Sequence, residues 1–541
     1  MISPGSAIIF SMLAPLVGFL GVWTFRTAPN LREAATLISG AFTLFMTLTV
    51  FLAVGEGARP GYFFVNVVSG LPLAFKVEPL GAVFAVLASG LWIVNSLYSI
   101  GYMRGHNEPN QTRFYMCFTV AIASAIGVAY AANLFTLFVF YEILTLSTFP
   151  LVTHKGDATA RNGGRIYLGI LMGTSIGLFL PAIVWTYAIA GTTDFTVGGI
   201  LATNVDEAGP VAPILLGLFA FGIGKAALMP IHPWLPNAMV APTPVSAFLH
   251  AVAVVKAGVF SVLKIVIYIF GIEFMVDTGA GTLYLWIAGI SIILASLIAM
   301  RQDNLKARLA YSTISQLAYV TLGAMLATSM GVMGGALQIV MHALGKMTLF
   351  MCAGAIYVGA HKSLVSEMRG LGRTMPITFT VFFIGAMSIV GLPPLGGSWP
   401  KFLLMLGAAD AGEFAIIAIL ILSSLLNVVY LLSIPIQAFY LSPETREDGK
   451  ALGLLRKDGT PLVALIGTPK ATNLSAATPT NQSQQKEAMA IGPNLAIDWS
   501  AIKEAPFFCV MPPILTAIGA IILFFTANGL YDYLAPIAEL G

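Results

Sequence analysis

Runs of about 20 apolar residues recur along almost the whole chain, separated by short polar links. That is the length at which a helix crosses the hydrocarbon of a bilayer. About fourteen such spans are predicted, near 6–25, 33–54, 79–102, 113–131, 133–152, 164–190, 210–230, 244–271, 280–300, 309–328, 331–359, 376–407, 413–440 and 506–527. Only 9% of the 541 residues are charged and 57% are hydrophobic, whereas ordinary globular domains carry about a quarter charged residues. The chain therefore reads as an integral, all-α polytopic membrane protein.

The links set the orientation. Those after odd-numbered spans carry Arg26 and Arg32; Arg104 and Arg113; Lys155, Arg161 and Arg165; Arg301, Lys306 and Arg308; Lys362, Arg369 and Arg373. Those after even-numbered spans carry Asp194, Asp206 and Glu207; Glu273 and Asp277; Asp410 and Glu413, and only the link with Arg59 and Lys76 departs. By the positive-inside rule the odd links are cytoplasmic and both termini lie outside. The first apolar run, Ala7 to Phe25, has no basic leader and no small-residue cleavage site, so it is expected to be retained as a helix. A polar insert at 441–505, rich in Ser, Thr, Asn, Gln and Ala at its centre, falls on the cytoplasmic side and is expected to be disordered. The N-x-S matches at Asn473 and Asn481 lie in it and therefore carry no glycosylation meaning.

Composition also narrows the chemistry. The six histidines and three cysteines (Cys117, Cys352, Cys509) are scattered, with no CxxC and no metal-ligand spacing. Nor does a glycine-rich phosphate loop follow a strand pattern. No cofactor, metal or nucleic-acid partner is expected.

The stretch from Gly222 to Gly258, GIGKAALMPIHPWLPNAMVAPTPVSAFLHAVAVVKAG, concentrates the anomalies. Lys225 sits within an apolar run that breaks at Pro230, Pro233, Pro236, Pro242 and Pro244, and His250 and Lys256 lie near the middle of the next run. Pro230 cannot donate to the carbonyl of Ala226, and freed backbone in lipid is tolerated only against protein or a wet cavity. A second break, GLPPLGGSWP, precedes Lys401 in the twelfth span. The breaks are five spans apart, and an odd offset inverts topology. Spans 4–8 and 9–13 can therefore form two inverted five-helix repeats with broken helices 7 and 12, and paired interrupted segments point to a transport site. The predicted organisation is 1–110 (spans 1–3), 111–272 (first repeat), 273–440 (second repeat), 441–505 (cytoplasmic insert) and 506–541 (last span and tail).

Ionisable residues at membrane depth mark ion or proton paths by default. Glu142 lies midway along span 5 and is expected to pair with Lys225; the alternative is a static pair that fixes helix packing. His342 and Lys346, four apart in span 11, share a face and are suited to pass a proton. His250 is either part of that path or a neutral histidine bonded to a helix carbonyl. The lysines have their own alternative, snorkelling to the interface, which best suits Lys264, predicted nearer the outer surface. Ser312, Thr313, Ser315 and Gln316 add neutral hydrogen-bonding groups to span 10.

With these residues in view the chain resembles the antiporter-like proton-translocating subunits shared by respiratory complex I and the multisubunit Mrp cation/proton antiporters. The resemblance covers nearly all the spans and is carried by Phe140-Tyr141-Glu142, the Gly222–Gly258 stretch, DNLKARLAYSTISQLAYV (303–320), MHALGKMTLF (341–350) and GLPPLGGSWPKF (391–402). The wording APTPVSAFLHAVAVVKAGVF is most similar to the Mrp type, in its D-type member, although the 441–505 insert is longer than that type implies. The resemblance implies a fourteen-helix core with proton transfer along Glu142, Lys225, His250, Lys256, His342, Lys346 and Lys401. It further implies a transporter subunit, not an enzyme, in a bacterial inner membrane, with other membrane subunits, protons and Na+ or K+ as its partners. A pumping subunit of NADH–quinone oxidoreductase or a membrane-bound hydrogenase uses the same path. A non-conducting scaffold has the fold without the path.

Overall fold

A computed structural model describes residues 3–68, 71–441 and 502–538. Its membrane helices are α1 (Pro4–Thr24), α2 (Pro29–Gly55), α3 (Pro79–Gly105), α4 (Gln111–Tyr130), α5 (Leu134–Val152), α6 (Ala158–Ala190) and α7 (Ala202–Gly222). They continue with α8 (Thr243–Phe270), α9 (Thr282–Arg301), α10 (Leu305–Met325), α11 (Ser329–Ala360), α12 in two halves (Pro376–Val390 and Ser398–Asp410), α13 (Phe414–Tyr440) and α14 (Phe507–Phe525). Twelve of these are long and apolar enough to cross a membrane. The serines, threonines and glutamine of α10 and the break in α12 keep those two out of that count. The fold is all-α and polytopic, with about fourteen membrane helices.

Local chemistry sets the boundaries. Pro4, Pro29, Pro79 and Pro376 occupy first-turn positions, where a missing N–H costs nothing. Asn133, Asp157, Asn304 and Thr328 accept from backbone N–H groups at the starts of α5, α6, α10 and α11. Both expected breaks are present. The regular part of α7 ends at Gly222, earlier than the proline spacing suggests, so Lys225 lies in a 3₁₀ turn at Gly224–Ala226. Ala227 follows with φ of 52°, and Trp234 Nε1 donates to the carbonyl of Gly224 at 2.9 Å. In α12 the halves are separated by Gly391–Gly397, with Gly391 at φ of 88°.

Two features lie beyond the sequence reading. Helix α8 is itself interrupted, as Thr243–Ala251 followed by Val254–Ile265 and a π turn at Val266–Phe270. The link with Arg59 and Lys76 forms an antiparallel hairpin, β1 (Gly61–Val68) and β2 (Leu71–Lys76), with Gly61 opposite Lys76.

The links sort onto two ends of the bundle. The hairpin meets the end of α4, where the Ala132 N–H donates to Ala74 O, and Thr196 and Leu201 bond the end of α8. At the other end Lys306 donates to Ala241 O, Arg113 to His154 O and Arg373 to Phe439 O. The described end of the polar insert joins this second group, where Thr378 Oγ1 donates to Glu504 at 2.6 Å. Most of the insert (442–501), with Asn473 and Asn481, lies outside the described residues, as does Gly541. Helices α8 and α11 form the centre: 100% and 94% of their most apolar stretches are buried, against 33% for α6, α13 and α14. A helix that is apolar all round belongs in such a place.

Candidate proton-transfer site

The interruption of α7 brings Lys225 against α5. Its ammonium donates to the carbonyl of Tyr141 at 2.8 Å and to Thr145 Oγ1 at 2.5 Å, and it lies 3.1 Å from the centre of the Tyr141 ring. The Tyr141 hydroxyl in turn accepts from the Lys225 N–H at 3.1 Å. The approach of α8 closes the site: a Cβ on Gly258 would lie 2.3 Å from Ala226 N and 2.4 Å from Lys225 C, so only glycine fits. The expected partner, Glu142, is on the next position of α5 but makes no ion pair within 4.0 Å among the described residues. Both of its carboxylate oxygens are shielded from solvent and lack a hydrogen-bond partner among the described residues. Thus Glu142 and Lys225 share a neighbourhood, but not a direct contact.

At the centre, Lys256 Nζ of α8 lies 2.7 Å from His342 Nδ1 of α11. An ammonium has donors only, so this contact requires an unprotonated Nδ1 or a neutral amine. At least one member of the contact is thus uncharged. His342 forms no hydrogen bond with Lys346 among the described residues; Lys346 instead donates to Ser312 Oγ at 2.8 Å. His250 stands across the α8 interruption from Lys256, with its ring 5.2 Å from that of Phe350. Neither of its nitrogens has a hydrogen-bond partner among the described residues, so the expected alternative of a bond to a helix carbonyl is not present there.

Lys401, in the second half of α12, reaches back to the carbonyl of Val390, the last residue of the first half, at 2.8 Å, and to Ser424 Oγ at 3.0 Å. A half-helix C-terminus presents unpaired carbonyls to a cation. The Tyr319 ring of α10 is centred 5.2 Å from the same ammonium. The lysines of the α7 and α12 breaks therefore each face a tyrosine, Tyr141 on α5 and Tyr319 on α10, and those helices are also five apart. This is the relation expected of two repeats.

Neutral groups fill the space between. Ser312 also lies 3.1 Å from the Tyr430 hydroxyl, which bonds Asn427. Ser296 bridges Ser315 at 3.2 Å and Ser423 at 3.5 Å, next to the Ser424 that holds Lys401. Gln338 Nε2 donates to Gln316 Oε1 at 2.8 Å. The hydroxyls of α10 were legible in the sequence. Thr145, Tyr430 and Ser424 were not, because nothing local separates them from ordinary polar residues of a helix, and Tyr141 stood out only as part of the Phe140-Tyr141-Glu142 motif. One expectation is corrected: Lys264 does not snorkel. It is fully buried and pairs with Glu78 at 3.0 Å.

Comparison with known proteins bears on the family and the fold. Residues 131–427 match the family model described as NADH:quinone oxidoreductase/Mrp antiporter, TM, and residues 66–115 match NADH-Ubiquinone oxidoreductase (complex I), chain 5 N-terminus. NADH-quinone oxidoreductase subunit N of Desulforudis audaxviator is 32% identical over 403 residues, 73% of this chain and 77% of that protein. NAD(P)H-quinone oxidoreductase chain 5 of Synechocystis sp. is 33% identical over 351 residues, 61% of this chain but only 49% of its own length. Among solved structures, a chain of the Mrp complex from Dietzia sp. superposes with a TM-score of 0.80 at 20% identity, over 100% of this chain and 97% of that one. A chain of an archaeal membrane-bound sulfane sulfur reductase superposes with 0.76 at 20% identity, over 98% and 97%.

Proposed function

Since the chain belongs to the family of NADH:quinone oxidoreductase and Mrp antiporter transmembrane subunits, we propose that it is the proton-translocating subunit of a multisubunit Na+ or K+/proton antiporter. One observation carries the mechanism. Lys225, Lys256, Lys346 and Lys401 are all buried, and none makes an ion pair among the described residues. Their partners are carbonyls, hydroxyls and an imidazole, so each lysine can lose its proton without stranding a carboxylate. A charge fixed at membrane depth for packing alone costs several kcal/mol. A row of amines that are neutral part of the time avoids much of that cost. In this mechanism Lys256 and His342 exchange a proton across α8 and α11. His250 connects to the link that carries Lys306, and Lys346, Ser312 and Tyr430 lead toward the α12–α13 side. The chain is then a transporter subunit with no reaction centre of its own, in a bacterial inner membrane among other membrane subunits.

The names of its curated relatives favour a second reading, a pumping subunit of a quinone-reducing complex. Both readings use the same path and differ in driving force. Purified complex with flavin and iron–sulfur absorbance and quinone reductase activity selects the second. Exchange of protons for added Na+ or K+, without either chromophore, selects the first.

The path itself is tested with arginine. A guanidinium keeps its proton in proteins, so Lys225→Arg and Lys256→Arg preserve charge and block transfer. Both variants are expected to assemble and to lose most exchange in everted membrane vesicles. Full exchange in both removes the relay and leaves a scaffold.

A further inference from the structure

Outside the midplane row, the described residues hold one ion pair in which both partners are nearly inaccessible and drawn from distant parts of the chain. Lys264 of α8 is 0% exposed and Glu78 is 6% exposed, and Nζ lies 3.0 Å from the carboxylate. Glu78 is the residue before the first turn of α3, where a carboxylate ordinarily accepts from the helix N–H groups. It makes no such bond, so its side chain is committed to the lysine. The ammonium also donates to the carbonyl of Ala131, just past the end of α4, at 2.8 Å and faces the Phe195 ring at 4.4 Å. The other ionisable groups near the pair are Tyr268, on the π turn that follows Lys264, and Lys76 and Arg59 of the hairpin link. Lys76 is exposed and only two residues from Glu78. The pair thus stands one step inside the hairpin end of the bundle, the end expected to face outward.

Its position relative to Lys256 is equally specific. Eight residues of helix separate the two lysines, about 12 Å along the axis. Midway, one turn from each, is Phe260, stacked on Phe84 of α3 with ring centres 5.0 Å apart and completely buried. An aromatic pair between two buried lysines excludes water when closed, and no charged residue intervenes among the described residues. That is the arrangement of a gated step between an inner and an outer site.

We propose that Glu78 and Lys264 form the outer proton-transfer station of this subunit, an inference that rests on the reading that protons pass Lys256. In the transfer the Lys264 N–H bond breaks and an O–H bond forms on Glu78, turning the ammonium–carboxylate pair into an amine and a carboxylic acid. The acid releases its proton to outer water beside Lys76, and the amine is reloaded from Lys256 through water that enters when Phe84 and Phe260 part. The internal transfer leaves the pair neutral overall; release of the proton leaves a carboxylate beside an amine, one negative charge that the reloading of Lys264 removes.

A static latch between α3 and α8 is the competing role, and Lys264→Arg separates them. Arginine keeps the pair with Glu78 but does not release a proton. Exchange is measured in vesicles containing the whole complex and normalised to the amount assembled, beside Lys256→Arg. The proposal expects Lys264→Arg to lose most exchange per assembled complex, and Glu78→Gln to do the same while Glu78→Asp retains part. Wild-type exchange in Lys264→Arg with loss in Lys256→Arg overturns the outer station and leaves the midplane path standing. Wild-type exchange in both overturns the path itself. Should Lys264→Arg assemble too poorly to measure, the near-isosteric Glu78→Gln decides: full exchange per complex overturns the station, and loss supports it. The Glu78→Gln/Lys264→Gln double variant restores a hydrogen-bonded neutral pair, so a latch expects recovery whereas a station expects none.

Discussion

Glu142 and Lys225 show how far single residues can be read. Both stand out in the sequence as a pair at membrane depth, but the ammonium bonds Tyr141 and Thr145 while the carboxylate oxygens bond nothing among the described residues. Two unit charges 4 Å apart interact by about 4 kcal/mol at an effective dielectric near 20, and less beyond that distance. On the proposed path an ionised Glu142 would act on Lys225 through its field, not through a bond. Glu142→Gln removes the field and keeps the shape. It is expected to slow exchange with normal assembly, and Glu142→Asp to retain part, measured in everted vesicles; unchanged exchange in Glu142→Gln reduces Glu142 to packing. The same residue scale explains the missed partners. An amine at depth takes whatever acceptor the neighbouring helix offers, and that acceptor is set by helix rotation rather than by residue type.

The informative elements are the interrupted helices. Those of α7 and α12 announced themselves through proline and glycine, whereas α8 breaks at Val252 and Ala253, neither of which is a helix breaker. The third break comes from packing. It falls where α8 carries His250 on one side and Lys256 on the other, beside α11. The contact of α8 with the α7 turn depends on the absence of a side chain at Gly258, because an added methyl meets backbone atoms that have no rotamer to yield. Gly258→Ala is expected to lower the thermal midpoint of the detergent-solubilised protein and to impair exchange, at a cost of about 1–3 kcal/mol. Gly173→Ala, where an added Cβ meets nothing within 4 Å, is the control and should be neutral or slightly stabilising. Equal behaviour of the two would remove the close-approach argument.

For the whole molecule, the arrangement of links makes a sided prediction. In a chain lacking Cys117, Cys352 and Cys509, a cysteine at the exposed position Asp206 should label from outside, and one at Lys362 only from the cytoplasm. Labelling of both from one side would invert or break the repeat arrangement, and with it the outward placement of Glu78 and Lys264.

The sequence alone determined the number of membrane helices, the places of the α7 and α12 breaks, and the burial of Lys225, His250, Lys256, His342 and Lys346. These follow from quantities local in the chain: the length of apolar runs, the missing donor of proline, and the cost of a charge in lipid. Only the tertiary structure decided which groups meet. Lys256 contacts His342 rather than Lys346 reaching it, and Lys264 turns inward to Glu78 instead of outward to the interface. The hairpin between α2 and α3 and the interruption of α8 belong to the same class. Each is settled by how helices far apart in sequence rotate and close against one another, because a polar side chain at membrane depth can take as partner only what the element packed against it presents.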